Sequence, residues 1–275
     1  MRITVLVENT SCGPVDAAHG LSLYVETAGH RILFDAGPDG GLLLRNAAAL
    51  GVDLGAADAA ILSHGHYDHA GGLLAFLEVN GRAPLYLQRG ATAPHGAREN
   101  TGLRAIGMDP QIEARYPERL VRLDGDFRID EELSLFSDVR TADFLSGSNS
   151  ALLERCGGDW APDRFRHEQN LLIEEGGKLV LIAGCAHRGI LNILRSAKER
   201  AGRAPDAVYA GFHLTNPGRG IDEPEPFIRA LGAELQRWPC RFYTGHCTGA
   251  GPFGILSEML GDRLRYLAGG AVFEE

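Results

Sequence analysis

The feature that most constrains this chain is the segment SHGHYDHAGG at residues 63–72, which concentrates three imidazoles and one carboxylate within six positions. The apolar run at 59–62 predicts a buried strand before it, and residues 71–77 predict a helix after it. A chance match to three fixed His and one Asp is rare even in a chain with ten His. The segment therefore indicates a functional loop between a strand and a helix.

The spacing within this loop favours metal binding. His64 and His66 are two residues apart, so on extended chain leaving a strand their side chains point to one side. Asp68 and His69 fall where the helix begins, at the turn of the chain. One loop can thus supply two neighbouring metal positions, although a solvated His-rich surface tract is the alternative. Nitrogen and oxygen donors of this kind suit Zn²⁺, and imidazole also suits iron.

Composition narrows the class of protein. The chain is 44% hydrophobic, enough for a sizeable core, and we treat residues 1–275 as a single domain. A formal charge of −9 argues against broad binding of nucleic acid or anionic membranes, so we expect a small-molecule partner. No apolar run reaches the roughly 18 residues that a membrane span needs. The five Cys are scattered without a CxxC pair, which fits reduced thiols in a cytoplasm.

Strand and helix patterns are mixed along the whole chain, with hairpins at several points. This predicts an α/β protein with mixed sheets rather than a purely parallel sheet. Two stretches, 89–117 and 141–166, contain several Gly and Pro and are predicted to be irregular, lid-like segments. We also expect 120–123 to form a hairpin with 133–136, and a last strand pair near 264–273.

Three predicted strands downstream share one layout, in which an apolar strand is followed by Gly and then by His. The segments are GCAHRG at 184–189, GFH at 211–213 and TGHCTG at 244–249. Open α/β sheets place their sites at the carboxyl ends of strands, so these His are candidate ligands, with a capping or packing role as the alternative. The three residues are His187, His213 and His246.

On these residues the chain resembles the metallo-β-lactamase superfamily of metallohydrolases. The resemblance rests on HxHxDH at 64–69, on LFDAG at 33–37 and on the strand-end His246. The segments at 184–190, 211–214 and 244–249 are similar to those of the branch labelled dihydropterin–ribofuranosylaminobenzene-phosphate synthase-like. The resemblance implies an αββα four-layer sandwich of two mixed sheets, with the metals at one edge.

The resemblance also implies a ligand set for two metals, which we expect to be Zn²⁺, with iron or manganese as alternatives. One metal would be held by His64, His66 and His187. The other would be held by Asp68, His69 and His246.

Some positions around this set stay open. His167 is an alternative to His187 for the first metal, or simply a residue at a strand entry. Cys185 could bind or bridge as a thiolate, but a free Cys is often a small buried hydrophobe. His213 stands between a ligand and a packing residue. Asp35 would orient a ligating imidazole through its second ring N–H, or merely cap a turn.

These expectations point to a metal-dependent hydrolase. A metal-bound hydroxide would attack an ester, thioester, lactone or phosphoester, with Asp68 orienting the nucleophile. Alternatives are a pterin-biosynthetic synthase or cyclohydrolase-type enzyme, and a non-catalytic member of the fold that senses a ligand. An iron protein that reduces oxygen is a further class, but its relatives resemble a version with Glu at position 66 and an added flavin domain.

Overall fold

The computed structural model describes residues 1–216, 218 and 220–275, and its chain divides into two compact units. The first unit comprises Met1–Pro94, Ile106–Asp124 and Leu267–Glu275. The second unit comprises His95–Ala105 and Gly125–Tyr266. Whether 1–275 behaves as a single domain stays a prediction.

The strands, in chain order, are β1 (Arg2–Val7), β2 (Ser22–Glu26), β3 (Arg31–Phe34), β4 (Ala59–Ile61), β5 (Leu85–Gln88), β6 (His95–Glu99), β7 (Gly102–Ala105), β8 (Leu120–Leu123), β9 (Phe127–Arg128), β10 (Leu133–Phe136), β11 (Leu152–Cys156), β12 (Asp159–Pro162), β13 (Asn170–Glu175), β14 (Lys178–Ile182), β15 (Ala207–Tyr209), β16 (Thr215–Asn216), β17 (Ile221–Asp222), β18 (Arg241–Thr244), β19 (Leu264–Tyr266) and β20 (Val272–Glu274). The helices are α1 (Gly40–Ala49), α2 (Tyr67–Ala70), α3 (Leu73–Val79), α4 (Gln111–Arg115), α5 (Ile190–Ala201), α6 (Glu225–Leu235) and α7 (Ala250–Leu260). Within the described residues no helix is both long and apolar enough to cross a lipid bilayer.

The first unit is built on a mixed sheet with the order β20-β1-β2-β3-β4-β5-β8. Strands β3, β4, β5 and β8 run parallel, whereas β1 pairs antiparallel with β2 and with β20. Helices α1 and α3 bury Leu43 and Phe76 in one apolar cluster with Leu33 of the sheet. Helix α1 begins where the Asp39 side chain accepts the backbone N–H of Leu42, which satisfies an N-terminal donor.

The second unit repeats this plan with the order β19-β18-β15-β14-β13-β10-β9. Strands β14, β15, β18 and β19 are parallel, and β13 and β14 pair as an antiparallel hairpin. Helices α5, α6 and α7 pack Ile193, Leu231 and Leu256 into one cluster with Leu181 and Phe242. Both units therefore confirm the predicted α/β class with mixed sheets.

Two predictions of local structure were wrong. The stretches 89–117 and 141–166 are not irregular throughout, because parts of them form a four-stranded antiparallel sheet, β12-β11-β6-β7. Sequence periodicity missed this sheet because its strands are short and half-exposed, and β6 pairs with β11 from a distant part of the chain. Whether these segments act as lids stays a prediction.

The two extra hairpins were also wrong. Strand β8 pairs with β5 in the first unit, whereas β10 pairs with β9 and β13 in the second. Likewise β19 pairs with β18, and β20 pairs with β1. In both cases the chain passes from one sheet to the other between consecutive strands, and local pattern carries no signal for such a change.

Candidate metal centre

The HxHxDH loop leaves the carboxyl end of β4 and enters the short helix α2. His64, His66 and His69 are buried, and the ring centroids of His64 and His66 lie 4.6 Å apart. Those of His64 and His69 lie 4.2 Å apart. The backbone is tightly fitted here, since a Cβ on Gly65 would come within 2.3 Å of the Ala91 carbonyl oxygen. The loop thus holds three imidazoles together in a buried place.

A buried carboxylate fixes the proton positions on two of these rings. The Ser63 hydroxyl has one proton, and Asp35 Oδ2 only accepts, so the hydroxyl donates to it at 2.7 Å. Ser63 Oγ then accepts from His64 Nδ1 at 2.8 Å, and His69 Nδ1 donates to Asp35 Oδ2 at 2.6 Å. His64 and His69 therefore carry their protons on Nδ1 and their lone pairs on Nε2, a tautomer in which neutral imidazole binds metals.

Asp35 is itself held in an unusual conformation. It is fully buried, has a φ of 57°, and also accepts the backbone N–H of Ser63 at 2.7 Å. Its own backbone N–H donates to Ile61, so the residue joins the ends of β3 and β4. A left-handed Asp costs free energy, and such residues persist where the surrounding contacts hold them in place. The sequence alone left two equal interpretations of Asp35, either orienting a ligating imidazole or capping a turn.

Asp68 lies at the first turn of α2 with little exposure. Its Oδ2 is 3.3 Å from His19 Nε2 and 3.8 Å from His69 Nε2. The first unit therefore brings together the four residues predicted for its part of the site, and it adds His19, which sequence reasoning missed. No local motif marks His19, because it lies in a loop 49 residues upstream of Asp68.

In the second unit, three loops leave the carboxyl ends of β14, β15 and β18. Each contains a non-Gly residue with positive φ just past the strand, at about the same angle: Ala186 at 50°, His213 at 49° and His246 at 49°. The left-handed conformation costs a non-Gly residue about 1–3 kcal/mol. The three loops therefore share the same strained backbone conformation just past their strands.

His187 is positioned by Asn149, a polar residue that the sequence did not single out. Asn149 Nδ2 donates to the His187 carbonyl at 2.8 Å, so Asn149 Oδ1 faces His187 Nδ1 at 3.0 Å and accepts from it. This again leaves the ring lone pair on Nε2. The ring of Phe165 stacks on His187 with centroids 4.5 Å apart. A single Asn in a loop gives no sequence signal for this role.

Glu168 holds the same loop through its backbone N–H groups. Its carboxyl oxygens accept the backbone N–H groups of His187 at 2.6 Å and Arg188 at 3.0 Å. Burial raises the pKa of Glu168 to about 7, against the lowering effect of those two N–H groups and of the Arg188 charge. The Glu therefore fixes the chain on both sides of the His187 peptide.

His167, which lies just before β13, shares a carboxylate partner with a second imidazole. Its Nε2 and the Nδ1 of His95 both lie 3.1 Å from Asp163 Oδ2, and the two rings are 4.0 Å apart between centroids. Asp163 also accepts the backbone N–H of Phe165 at 2.7 Å. One carboxylate thus orients two buried imidazoles. His95 and Asp163 were missed because β6 and the loop after β12 are 68 residues apart in the sequence.

The candidates Cys185 and His213 form a sulfur-containing cluster with Cys247, which sequence reasoning missed, and the ligand atoms of the three lie within 4.8 Å of one another. The ligand atom of His246 is also within 4.8 Å of Cys185 Sγ. Burial acts to raise the pKa of the Cys247 thiol, but Cys185 and the imidazoles of His246 and His213 outweigh it and hold this pKa well below its usual range. The donors suit a borderline or soft metal ion.

Comparison with known proteins decides the family. The family model described as the metallo-beta-lactamase superfamily matches residues 15–218. The chain belongs to the metallo-β-lactamase superfamily. The predicted metallo-β-lactamase fold is confirmed by the structure of Tm1679, described as a metal-dependent hydrolase of the β-lactamase superfamily, with a TM-score of 0.82 and 27% identity over 100% of this chain and 99% of that chain.

Two relatives come from Methanocaldococcus jannaschii. Uncharacterized protein MJ0448 is 31% identical over 94% of this chain and 94% of its own length. A protein named 7,8-dihydropterin-6-methyl-4-(β-D-ribofuranosyl)-aminobenzene-5′-phosphate synthase is 27% identical over 86% of this chain and 83% of its own length. The resemblance to the superfamily and to its synthase-like branch is thereby confirmed.

The donors of each unit fit a metal ion. In the first unit, His64 and His69 carry Nε2 lone pairs and lie beside a buried carboxylate. In the second, His187 has the same tautomer. A neutral imidazole whose Nδ1–H is hydrogen-bonded and whose Nε2 keeps its lone pair is the usual form of a ligating His. The superfamily membership and these residue groups support a metal-binding enzyme fold, while the ligand assignment stays a prediction.

Proposed function

We propose that this protein is a metal-dependent hydrolase that acts on a small-molecule ester, thioester, lactone or phosphoester. The observation that carries the proposal is the Asp35–Ser63 network, which sets the tautomers of His64 and His69 before any metal arrives. Residues that serve only as packing have no need of this arrangement. The similarity to Tm1679, described as a metal-dependent hydrolase, adds support.

As ligands we propose the set predicted from the sequence, with Zn²⁺ as the metal and iron or manganese as alternatives. The first unit would supply His64, His66, Asp68 and His69. His187 and His246 complete the predicted set, with Cys185, His167 and His213 as alternatives.

A Zn²⁺ bound by these residues supplies a hydroxide nucleophile at neutral pH, since it lowers the pKa of water from about 15.7 to near 7. The Asp68 carboxylate would accept a hydrogen bond from the attacking water and thereby set its orientation. Asp35 would keep the His69 lone pair on Nε2 throughout turnover, and Asn149 would do the same for His187. Apart from the half-buried Asn149, these side chains are already buried, so little reorganisation is needed.

The test is metal content measured together with hydrolysis of a panel of esters, thioesters, lactones and phosphoesters. We expect stoichiometric metal in the purified protein and loss of turnover after chelation. His66→Ala should lose metal and about 10³-fold in kcat/KM, the equivalent of several kcal/mol. The control is His30→Ala, a half-exposed imidazole near Asp58. Full turnover by metal-free protein would refute the proposal.

The similarity to the synthase from Methanocaldococcus jannaschii favours a second candidate, a step in pterin biosynthesis. Dihydropterin substrates assayed with the same metal-loaded protein would separate the two. Turnover of a pterin substrate with none of the hydrolysis panel would favour the second candidate.

A further inference from the structure

The Asp68 carboxylate has a close neighbour from outside the HxHxDH loop. His19 Nε2 lies 3.3 Å from Asp68 Oδ2, nearer than His69 Nε2 at 3.8 Å. The Asp68 side chain is 11% exposed, whereas that of His19 is 38% exposed. The imidazole of His19 therefore connects a largely buried carboxylate to the surface of the first unit.

The Asn9 side chain determines where the proton of this imidazole lies. The Gly20 backbone N–H donates to Asn9 Oδ1 at 3.2 Å, which fixes the amide oxygen on that side. Asn9 Nδ2 then faces His19 Nδ1 at 3.3 Å. An amide nitrogen donates and does not accept, so Nδ1 is the acceptor. The neutral His19 ring thus carries its proton on Nε2, the atom that faces Asp68.

Backbone contacts hold His19 at this distance from Asp68. The Leu21 N–H donates to the Asp68 carbonyl at 3.2 Å, and the Ala18 N–H donates to the Glu8 carbonyl at 3.0 Å. A Cβ on Gly20 would lie 2.4 Å from the Asp68 carbonyl oxygen, so the two segments approach as closely as a Gly permits. The pair is therefore set by the packing of two chain segments and not by two flexible side chains alone.

We propose that His19 is a positioning residue, which directs its Nε2–H at Asp68 and holds the carboxylate in the orientation that a metal ion and the attacking water require. Carboxylates that bind metals are themselves commonly hydrogen-bonded, and these outer partners affect metal affinity. A partly exposed imidazole–carboxylate pair contributes little to folding by itself, because solvent screens it. The inference rests on the proposed role of Asp68 as a metal ligand.

The test compares His19→Ala with His19→Gln in the full chain. Zn²⁺ affinity is measured by competition with a chromophoric chelator, and the geometry of the site is followed in the visible absorption of the Co²⁺-loaded protein. His19→Ala should lose about 10-fold in Zn²⁺ affinity, the lower end of the range for an outer partner, and should change the Co²⁺ spectrum. His19→Gln should restore most of both, since its amide can donate to Asp68 and accept from Asn9.

His30→Ala is the matched control. His30 is another partly exposed imidazole, with its Nδ1 3.3 Å from Asp58 Oδ1, but it lies away from the candidate ligands. Its removal should leave Zn²⁺ affinity and the Co²⁺ spectrum as in wild type. Urea denaturation of the metal-free variants separates positioning from folding, and His19→Ala should unfold at the same urea concentration as His30→Ala.

Two results would overturn the proposal. One is wild-type affinity and spectrum in His19→Ala. The other is a loss of affinity that is matched by a loss of stability in the metal-free protein and is not restored by Gln, which would make His19 a structural residue. These measurements need no turnover, so a wild-type protein that binds metal but hydrolyses no substrate of the panel would refute the proposed function alone.

The tautomer of His19 provides a check that needs neither a variant nor a metal. Long-range ¹H–¹⁵N spectra of the metal-free wild type should show the His19 ring protonated on Nε2 with Nδ1 as acceptor. A neutral ring protonated on Nδ1 would place a lone pair against the Asp68 carboxylate and would refute the proposal. This measurement decides the question if His19→Ala does not fold.

Discussion

The two units present their candidate ligands in different ways. In the first unit, His64, His66, Asp68 and His69 come from six consecutive residues. In the second, His187, His213 and His246 come from three loops spread over 60 residues of chain. Two imidazoles of the first set, His64 and His69, are oriented by one carboxylate, Asp35. The second set relies on separate partners such as Asn149 and Glu168.

This difference predicts how each region responds to mutation. Because the Asp35 carboxylate orients two rings, its removal disturbs Ser63, His64 and His69 together. In the second unit each partner holds a single loop, so removing one partner disturbs that loop alone. We therefore expect larger effects on metal affinity from changes at Asp35 than from changes around the second-unit loops, and larger effects on backbone stability from the second.

The largest loss of metal affinity is expected for Asp35→Asn. Asn tolerates the positive φ of this position at least as well as Asp, so the change isolates hydrogen bonding. The Asn amide would face the His69 Nδ1–H as a donor, which favours the opposite tautomer and moves the lone pair away from Nε2. We expect Zn²⁺ affinity, measured by competition with a chromophoric chelator, to fall about 10–100-fold.

Asp39→Asn is the matched control for this change. Asp39 lies four residues away and caps α1, where Asn serves as well as Asp. It should leave both metal affinity and stability nearly unchanged. Equal affinities in Asp35→Asn and Asp39→Asn would show that Asp35 does not orient a metal ligand.

A smaller effect is expected from Glu168→Gln. The Gln amide can accept only one of the two backbone N–H groups that Glu168 now accepts, so one buried donor is left unpaired. The unfolding free energy should fall by about 1–3 kcal/mol in urea denaturation, with a weaker loss of metal affinity than in Asp35→Asn. Glu174→Gln, on the exposed part of β13, should change it by less than about 0.5 kcal/mol. A Glu168→Gln protein as stable as that control would contradict the anchoring role.

The same difference, between candidate ligands from consecutive residues and candidate ligands from separate loops, explains how much of the site the sequence could predict. The HxHxDH loop could be predicted as a candidate site because its candidate ligands are neighbours in the chain, and His187 and His246 became candidates because a Gly-then-His layout recurs at strand ends. Glu168, Asn149 and the His95–Asp163 pair have no such local mark. They act through contacts between distant segments, which only the fold supplies.

The fold shows the same limit. Elements with a clear apolar pattern, such as β4 before the HxHxDH loop and α3 after it, were predicted to within two residues of their observed bounds. The errors arose at β8–β10 and β19–β20, where consecutive strands join different sheets. Hydrophobic alternation specifies that a strand is buried, but it does not specify its partner.

The last comparison of the two units is made at alkaline pH, away from the candidate ligands. Burial raises the pKa of Tyr24 in the first unit and of Cys240 in the second to about 12 in each case. A group whose pKa is higher in the folded state stabilises it fully below the unfolded pKa. That stabilisation is lost as pH rises from the unfolded value, 9.0 for Cys240 and 10.0 for Tyr24, to about 12.

Over that window each group contributes a fall of up to about 1.4 kcal/mol in unfolding free energy per pH unit. Tyr24→Phe and Cys240→Ser should each show a shallower decline than wild type in urea denaturation between about pH 9 and about pH 11. The Phe change also removes the hydrogen bond from the Tyr24 hydroxyl to the Asp53 carbonyl, so the slope rather than the starting stability is the readout. A slope equal to that of wild type in either variant would mean that the group titrates alike in the folded and unfolded chain, and that its unit is open to solvent at that point.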